Sequence, residues 1–305
     1  MNEQVLIQDT LKLLAEGEHE ESRVTPDVLA SRLAIARDQV DGVLRNLASA
    51  DLIESGSLKL TASGREYALH VLRAHRLYET YLARKTGVRE SQWHARANIE
   101  EHKLSAADVE KLARDLDYPR FDPHGDPIPT AAGDMPARRG GPLADYPAGW
   151  EGRVVHVEDE PPRLYALIAA ASIAPGTELR IVAKDDHELR VHAEGRDFSF
   201  PVDVAGQITV VPLADEERFD ESVRRLYSLV DGEQASVVRL SPLCRGLERS
   251  RLLDLGLVPG TVVSVDLVSP AGSPIAYRIR GASIALRREQ AERVLIRDVE
   301  DETDG

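Results

Sequence analysis

ASIAPGTELRIV, starting at residue 171, and LGLVPGTVVSVD, starting at residue 255, share a Pro-Gly-Thr turn that opens into an alternating strand. The match extends outward. Each stretch follows a short Leu/Ala-rich segment with helical spacing, RLYALIAAA in one and RSRLLDLG in the other. Each leads into further alternating strands that turn at a glycine, Gly195 or Gly281, and ends on a β-branched strand, ITVV or VLI. A strand also precedes each, GRVVHV or ASVVRL. Alternation of apolar and polar residues marks half-buried antiparallel strands. A repeat of this length marks one folding unit used twice. The chain therefore carries two small antiparallel barrels, residues 151–213 and 233–298. The acidic stretch 214–232, containing DEERFDESVRRLYSLV, reads as a helical connector, and the tail 299–305 reads as disordered.

The chain ahead of the repeat is helical. VLIQDTLKLLAE is amphipathic. TPDVLASRLAI opens with Thr25 as the expected N-cap and Pro26 in the first turn. ARDQVDGVLRNLASADL spaces Val40, Val43, Leu44 and Leu47 for one buried face, with Asp38 as the expected cap. LIESGSLKLTASG then alternates and turns at Ser55–Ser57, like a hairpin. Three helices followed by a hairpin are the plan of a winged helix-turn-helix, placed at residues 1–70. Three further helices follow: SGREYALHVLRAHRLYETYLARKTG, SQWHARANIEEHKL and SAADVEKLARDL, the last with Ser105 and Asp108 as a capping pair. They form an all-α domain at 71–130, and the Pro/Gly-rich run that continues to residue 150 reads as a linker over 131–150.

Composition narrows the function. No run approaches the roughly 18 uninterrupted apolar residues that a membrane span needs, and no basic stretch precedes the first apolar one as in a secretory signal. A single cysteine, Cys244, excludes an internal disulfide and reads as a small core residue. Both features fit the cytoplasm. The net charge of −14 argues against wrapping non-specifically around nucleic acid.

The chemistry concentrates in two helices. His75 and Glu79 stand at i, i+4 on the long helix, and His94, Asn98, Glu101 and His102 share a face of the next. Such groups are solvent-facing ion pairs or a metal site. Imidazole and carboxylate without thiolate suit Mn²⁺, Fe²⁺, Co²⁺ or Ni²⁺ rather than a structural zinc. No nucleophile motif or phosphate-cradling glycine loop accompanies them, so an enzyme is not expected.

In LTASGREYA, RAHRLYETYL, HARANIEEHKLS and DPHGDPIP, in that order, residues 5–130 resemble the diphtheria toxin repressor and manganese transport regulator family of metal-dependent transcription factors. The second barrel, with RGLERSRLLDLGLVPGTVV and GASIALRREQAERVLI, is similar to the ferrous-iron-transport accessory (FeoA-like) domain. The resemblance implies an α+β multidomain fold: a winged helix-turn-helix, an all-α dimerisation domain and two SH3-like barrels. It also implies a homodimer that binds double-stranded operator DNA when loaded with Mn²⁺ or Fe²⁺, and represses metal-uptake genes.

Residue by residue, the resemblance implies that His75, Glu79 and His94 form one metal site, and that Glu101 and His102 belong to a second one beside it. Asn98 stands where relatives place Cys or Glu, and Asp9 is the candidate from the first helix. Leu6 or Val5 falls where a further ligand is expected, with Glu100 as its substitute. In some relatives the barrel adds two polar ligands. Pro161 and Leu164 fall near those places here, with Glu158 or Glu160 in reach. His70 reads as a packing or surface residue, and His19, His124, His156, His187 and His192 are assigned nothing.

The resemblance implies that the helix 36–48 enters the major groove, with Arg37 and Gln39 able to read guanine or adenine edges and Arg45 able to meet a phosphate. Residues 1–70 hold seven basic against twelve acidic residues, which is unusual for a DNA-reading domain. That acidity favours an alternative, a metal-binding protein-interaction module linked to ferrous-iron transport, without sequence-specific DNA binding. Leu69, Leu72, Leu77, Tyr81 and Leu82 read as a monomer's own core or a helix-rich dimer interface, and the resemblance favours a homodimer.

Overall fold

A computed structural model describes residues 3–19, 23–159, 161–214 and 216–299. The tail beyond Val299 lies outside the described residues. The chain divides into a helical unit, chiefly residues 1–83 and 88–137, and a β unit, chiefly 138–305.

The helical unit begins with α1 (Glu3–His19), α2 (Pro26–Leu33) and α3 (Arg37–Ser49). Thr25 caps α2 by accepting from the Val28 N–H at 3.2 Å, with Pro26 preset for the first turn. At α3 the expected cap is displaced by one residue. The Ala36 N–H donates to the Gln39 side chain at 3.1 Å, so Gln39 rather than Asp38 closes the helix start. Val40, Val43 and Leu47 face a core shared with Leu11, Leu14, Leu29 and Leu33. The expected hairpin shrinks to a single bridge, Ile53 with Leu60, around a turn in which Gly56 takes φ +76°.

The long helix α4 (Ala62–Lys85) starts against that turn. Gly64 makes the approach possible, because a Cβ there would lie 1.8 Å from the Leu52 carbonyl oxygen. After α4 come α5 (Trp93–Glu100) and α6 (Ala106–Asp115), the latter capped reciprocally by Ser105 and Asp108 as its sequence predicts. Leu72, Leu77 and Leu82 are buried within one chain, Leu77 against Val109, Ala113, Leu116 and Ile128, and Leu82 against Trp93. They are core, not a free dimer face. The run after α6 is not loose either. Arg73 and Arg76 of α4 donate to the Pro129 and Pro127 carbonyls, both at 2.6 Å, and Ile128 is buried.

The β unit shows the repeat in its topology. The first copy comprises β1 (Gly141–Pro142), β2 (Glu151–Val157), α7 (Pro162–Ala170), β3 (Glu178–Lys184), β4 (Glu188–Ala193), β5 (Arg196–Pro201), α8 (Val202–Ala205) and β6 (Ile208–Pro212). The second comprises β7 (Arg224–Arg225), β8 (Gln234–Leu240), α9 (Gly246–Asp254), β9 (Val262–Val268), β10 (Ile275–Ile279), β11 (Ala282–Leu286), α10 (Arg288–Ala291) and β12 (Val294–Asp298). The antiparallel sheets run β1-β6-β2-β3-β4-β5 and β7-β12-β8-β9-β10-β11, the same order twice. Each copy therefore starts earlier than the alternation suggests. Residues 141–150 hold β1 and the fully buried Leu143 rather than linker, and 224–232 hold β7 and a 3₁₀ turn with Leu226 rather than a helical connector. Two-residue edge strands are too short to show a period. Cys244 is buried in the second core, where burial pushes its thiol up to about 11.

The two copies pack on each other rather than swinging apart. The Glu194–Gly195 turn of the first fits against β7. Buried there, Glu194 accepts from Arg225 at 2.9 Å and from Ser241 at 3.0 Å. Two outcomes test this architecture. Gly64→Ala should destabilise the helical unit by at least about 2 kcal/mol, since backbone must move to admit the methyl group. Arg225→Leu should cost about 3–5 kcal/mol by leaving the Glu194 carboxylate buried and uncompensated. Urea denaturation followed by circular dichroism reads both.

Candidate metal centre

α4 turns His75 and Glu79 inward, where they are 5% and 2% exposed. One turn of helix separates them, and His75 Nε2 lies 3.2 Å from Glu79 Oε1. His94, from the first turn of α5, brings Nδ1 to 3.4 Å from the same oxygen, with its side chain 43% exposed. The two imidazoles meet edge-on, their centroids 4.9 Å apart. Glu79 Oε1 is buried and accepts no hydrogen bond, although two imidazoles face it. A carboxylate oxygen and two ring nitrogens converging in this way suit a divalent transition ion of the Mn²⁺ or Fe²⁺ kind. The donor set fits.

His75 is held from behind. Its Nδ1 meets Glu101 Oε2 in a short contact. A carboxylate behind an imidazole fixes the tautomer and aims the other nitrogen outward, the arrangement found behind metal-ligating histidines. Burial and the Lys12 charge push the His75 pKa down, but Glu79 and Glu101 outweigh them and raise it to about 9. Burial likewise opposes ionisation of Glu101, yet His75 and Lys12 bring it down to about 2. Glu79 is held well below the usual carboxylate range, its burial outweighed by His75, His124 and His94.

The second group is Asp9, Glu101 and His102, whose potential ligand atoms all lie within 4.8 Å of one another. Asp9 comes from α1, and its Oδ1 lies 3.3 Å from His102 Nε2; neither atom makes a hydrogen bond. His102 Nδ1 is bound to Gln8 Oε1 at 2.7 Å. Asn98 lies beside this group. Its side-chain oxygen accepts from the Lys12 ammonium at 2.8 Å, and the same ammonium binds Glu101 Oε1 at 2.9 Å. Lys12 is 7% exposed. Burial pushes its pKa down, but the charge of Glu101 overrides this and raises it.

A third group was not legible as one. Glu79, Asp122 and His124 lie together, all buried, with His124 Nδ1 3.7 Å from Glu79 Oε2. Asp122 accepts from the His124 and Asp126 N–H groups at 2.8 and 2.9 Å, and burial beside Asp126 raises its pKa to about 7. DPHGDPIP was visible as a motif, but nothing in its spacing shows that it folds back onto α4. Glu100 takes no part. It pairs with the exposed Lys103. Leu6 packs in the core of the first three helices, Pro161 and Leu164 carry no donor group, and Glu160 lies outside the described residues.

On α3, Arg37 and Arg45 are exposed, as is Gln39. Arg37 is engaged by Asp27 and, at 3.2 Å, by Asp41. No helix among the described residues is long and apolar enough to cross a membrane.

A helical unit with inward-facing imidazoles and carboxylates is followed by a repeated β module, and comparison with known proteins gives the family. Residues 61–130 match the iron-dependent repressor metal-binding and dimerisation domain, and 224–298 match the FeoA domain. A solved manganese-dependent transcriptional repressor in complex with manganese is 31% identical, with a TM-score of 0.63 over 68% of this chain and 99% of that one. The iron-dependent repressor IdeR of Mycobacterium leprae is 35% identical over 95 residues, 31% of this chain and 39% of that protein. An Fe(2+) transport protein A/Fe(2+) transporter FeoB fusion protein of Porphyromonas gingivalis is 39% identical over 70 residues, 23% of this chain and 8% of its own length. The chain belongs to the diphtheria toxin repressor and manganese transport regulator family of metal-dependent repressors. That is a family of transcriptional repressors, not of enzymes.

Removing His75 tests the electrostatics. In metal-free protein, His75→Ala should cost about 3–5 kcal/mol, because Glu79 and Glu101 lose their shared partner while staying buried. Glu100→Ala, which breaks only an exposed pair, should cost less than about 1 kcal/mol. Equal effects in urea denaturation would show that the buried carboxylates do not depend on His75.

Proposed function

We propose that the protein is a homodimeric transcriptional repressor of metal-uptake genes that binds operator DNA when loaded with Mn²⁺ or Fe²⁺. One observation carries this reading: a buried carboxylate oxygen without a hydrogen bond faces two imidazoles, within the segment that matches a metal-binding and dimerisation domain. His75, Glu79 and His94 would hold the ion. Asp122 and His124 back Glu79 from its other oxygen.

Residues 1–70 then act as a winged helix-turn-helix, with α3 in the major groove and the Ile53–Leu60 bridge as a short wing. The exposed Arg37 and Gln39 would read base edges, and Arg45 a phosphate. Arg37 must leave Asp27 and Asp41 to do so, and Gln39 its cap. These rearrangements, with the local acidity, predict weak binding that salt abolishes readily. The β unit would be two SH3-like barrels, and the protein would act in the cytoplasm.

The FeoA match over 224–298 favours a second reading, a metal-binding interaction module linked to ferrous-iron transport that does not read DNA. Retention of the protein's own upstream DNA, with and without Mn²⁺ or Fe²⁺ at fixed moderate salt, separates the two. The repressor reading requires retention with metal, loss on chelation, and loss in Glu79→Gln at unchanged fold. Retention indifferent to metal would remove the switch, and no retention under any condition would favour the interaction module. With Mn²⁺ at about 100 times its Kd, the wild type should also gain about 2.7 kcal/mol of stability.

A further inference from the structure

The two groups of candidate ligands on α4 and α5 differ in one respect. At the His75–Glu79–His94 group the carboxylate oxygen faces two imidazoles, at 3.2 and 3.4 Å. Inside the Asp9–Glu101–His102 group stands the ammonium of Lys12, bound to Glu101 Oε1 at 2.9 Å and to Asn98 Oδ1 at 2.8 Å. We propose that Lys12 is a built-in cation that takes the place of a metal ion at the second group. The chain then binds one divalent ion, at His75–Glu79–His94, and α1 is joined to α5 whether metal is present or not. This rests on the metal-binding reading above.

The argument is geometric. The ammonium engages one oxygen of Glu101, while His75 engages the other. What remains of the group is Asp9 Oδ1 and His102 Nε2, 3.3 Å apart. Two donors are too few to hold Mn²⁺ or Fe²⁺ against water, and an ion placed between them would sit beside a fixed positive charge. Asn98 supports the same assignment. Its neutral amide oxygen accepts from an ammonium at full hydrogen-bond strength, yet offers a metal neither charge nor thiolate. A primary amine on a flexible stem also needs three acceptors or solvent for its three donors. At 7% exposure, Lys12 has little solvent, so its carboxylate and amide partners hold it in place.

The consequence is a division of labour. A metal ion bridging α1 to α5 would make their junction conditional on metal. Lys12 makes it permanent, since Gln8 and Lys12 on one face of α1 reach His102, Asn98 and Glu101. Any response to metal then arises at the α4–α5 junction, where His94 is the one half-exposed member.

The test counts Mn²⁺ per full-length chain, by elemental analysis after gel filtration and by titration calorimetry. Four proteins are compared: wild type, Lys12→Gln, Asp9→Asn combined with His102→Ala, and Glu79→Gln. The expected result is one ion for wild type, one for the Asp9/His102 double variant, none for Glu79→Gln and two for Lys12→Gln. Lys12→Gln should also show a larger Mn²⁺-induced rise in melting temperature than wild type, because the ion restores the missing charge. If Lys12→Gln does not fold, the double variant decides alone: an unchanged count supports the proposal and a lower count overturns it. Two ions on wild type, falling to one in the double variant, would overturn it while leaving the metal-dependent reading intact. A Lys12→Gln count equal to that of wild type would overturn it as well. No ion on wild type but one on Lys12→Gln would support the role of Lys12 and refute the metal-dependent reading.

Discussion

Both oxygens of Glu101 are taken, one by the Lys12 ammonium and one by the His75 ring, and the helical unit is organised around that carboxylate. Through Lys12 it holds α1. Through His75 it holds α4 and aims Nε2 at Glu79. A buried carboxylate is costly unless its charge is compensated and its lone pairs are used, and here two cationic partners meet that condition from opposite sides. The arrangement continues along α1. Gln8, Lys12 and Glu16 share one face at four-residue spacing and meet Tyr67, Asn98 with Glu101, and Arg76 in turn. Beside that row, Leu11, Leu14 and Ala15 of α1 enter an apolar core. One helix thus joins two cores of different character. Polar seams of this kind fix orientation more than they add stability, because a shifted register would leave several buried groups unpaired.

That seam explains what the sequence could and could not reveal. His75 with Glu79, and Glu101 with His102, were legible because both pairs lie on helices whose period is plain. The Thr25 and Ser105 caps were legible because capping is local chemistry. Lys12 was not, because a lysine on an amphipathic helix reads as solvated, and only tertiary packing brings α5 over it. Asn98 was legible as an odd residue, but the reason for it was not. A divalent ion facing a carboxylate and an ammonium facing an amide carry the same net charge, so residues 12 and 98 make sense as a pair and neither does alone.

The repeat was legible for a similar reason. Pro-Gly-Thr followed by alternation is local, and the two matching sheets follow from it. The edges were not. β1 and β7 are two residues long, and their membership depends on pairing with β6 and β12, far along the chain. His124 was missed on the same principle: the segment carrying it is held by Arg73 and Arg76, whose bonds to proline carbonyls leave no trace in any periodicity.

The burial of the first ligand group sets how a metal would act there. His75 and Glu79 are fixed by α4 and by Glu101, so neither has freedom to adjust to an ion. His94 is 43% exposed and stands at the start of α5, so it is the member able to move toward an incoming cation. A ligand shifts a conformational equilibrium only by binding one state better than another. With two donors buried and one partly exposed, the state that would gain is the one that draws the start of α5 against α4. The other end of α5 is already tied to α1 through Asn98 and Glu101. A movement begun at His94 would therefore be passed along a helix whose far end is attached to the first helix of the chain. On the proposal that Lys12 replaces a second ion, its tie would let one ion suffice, because a helix loose at both ends would absorb the movement instead of passing it on.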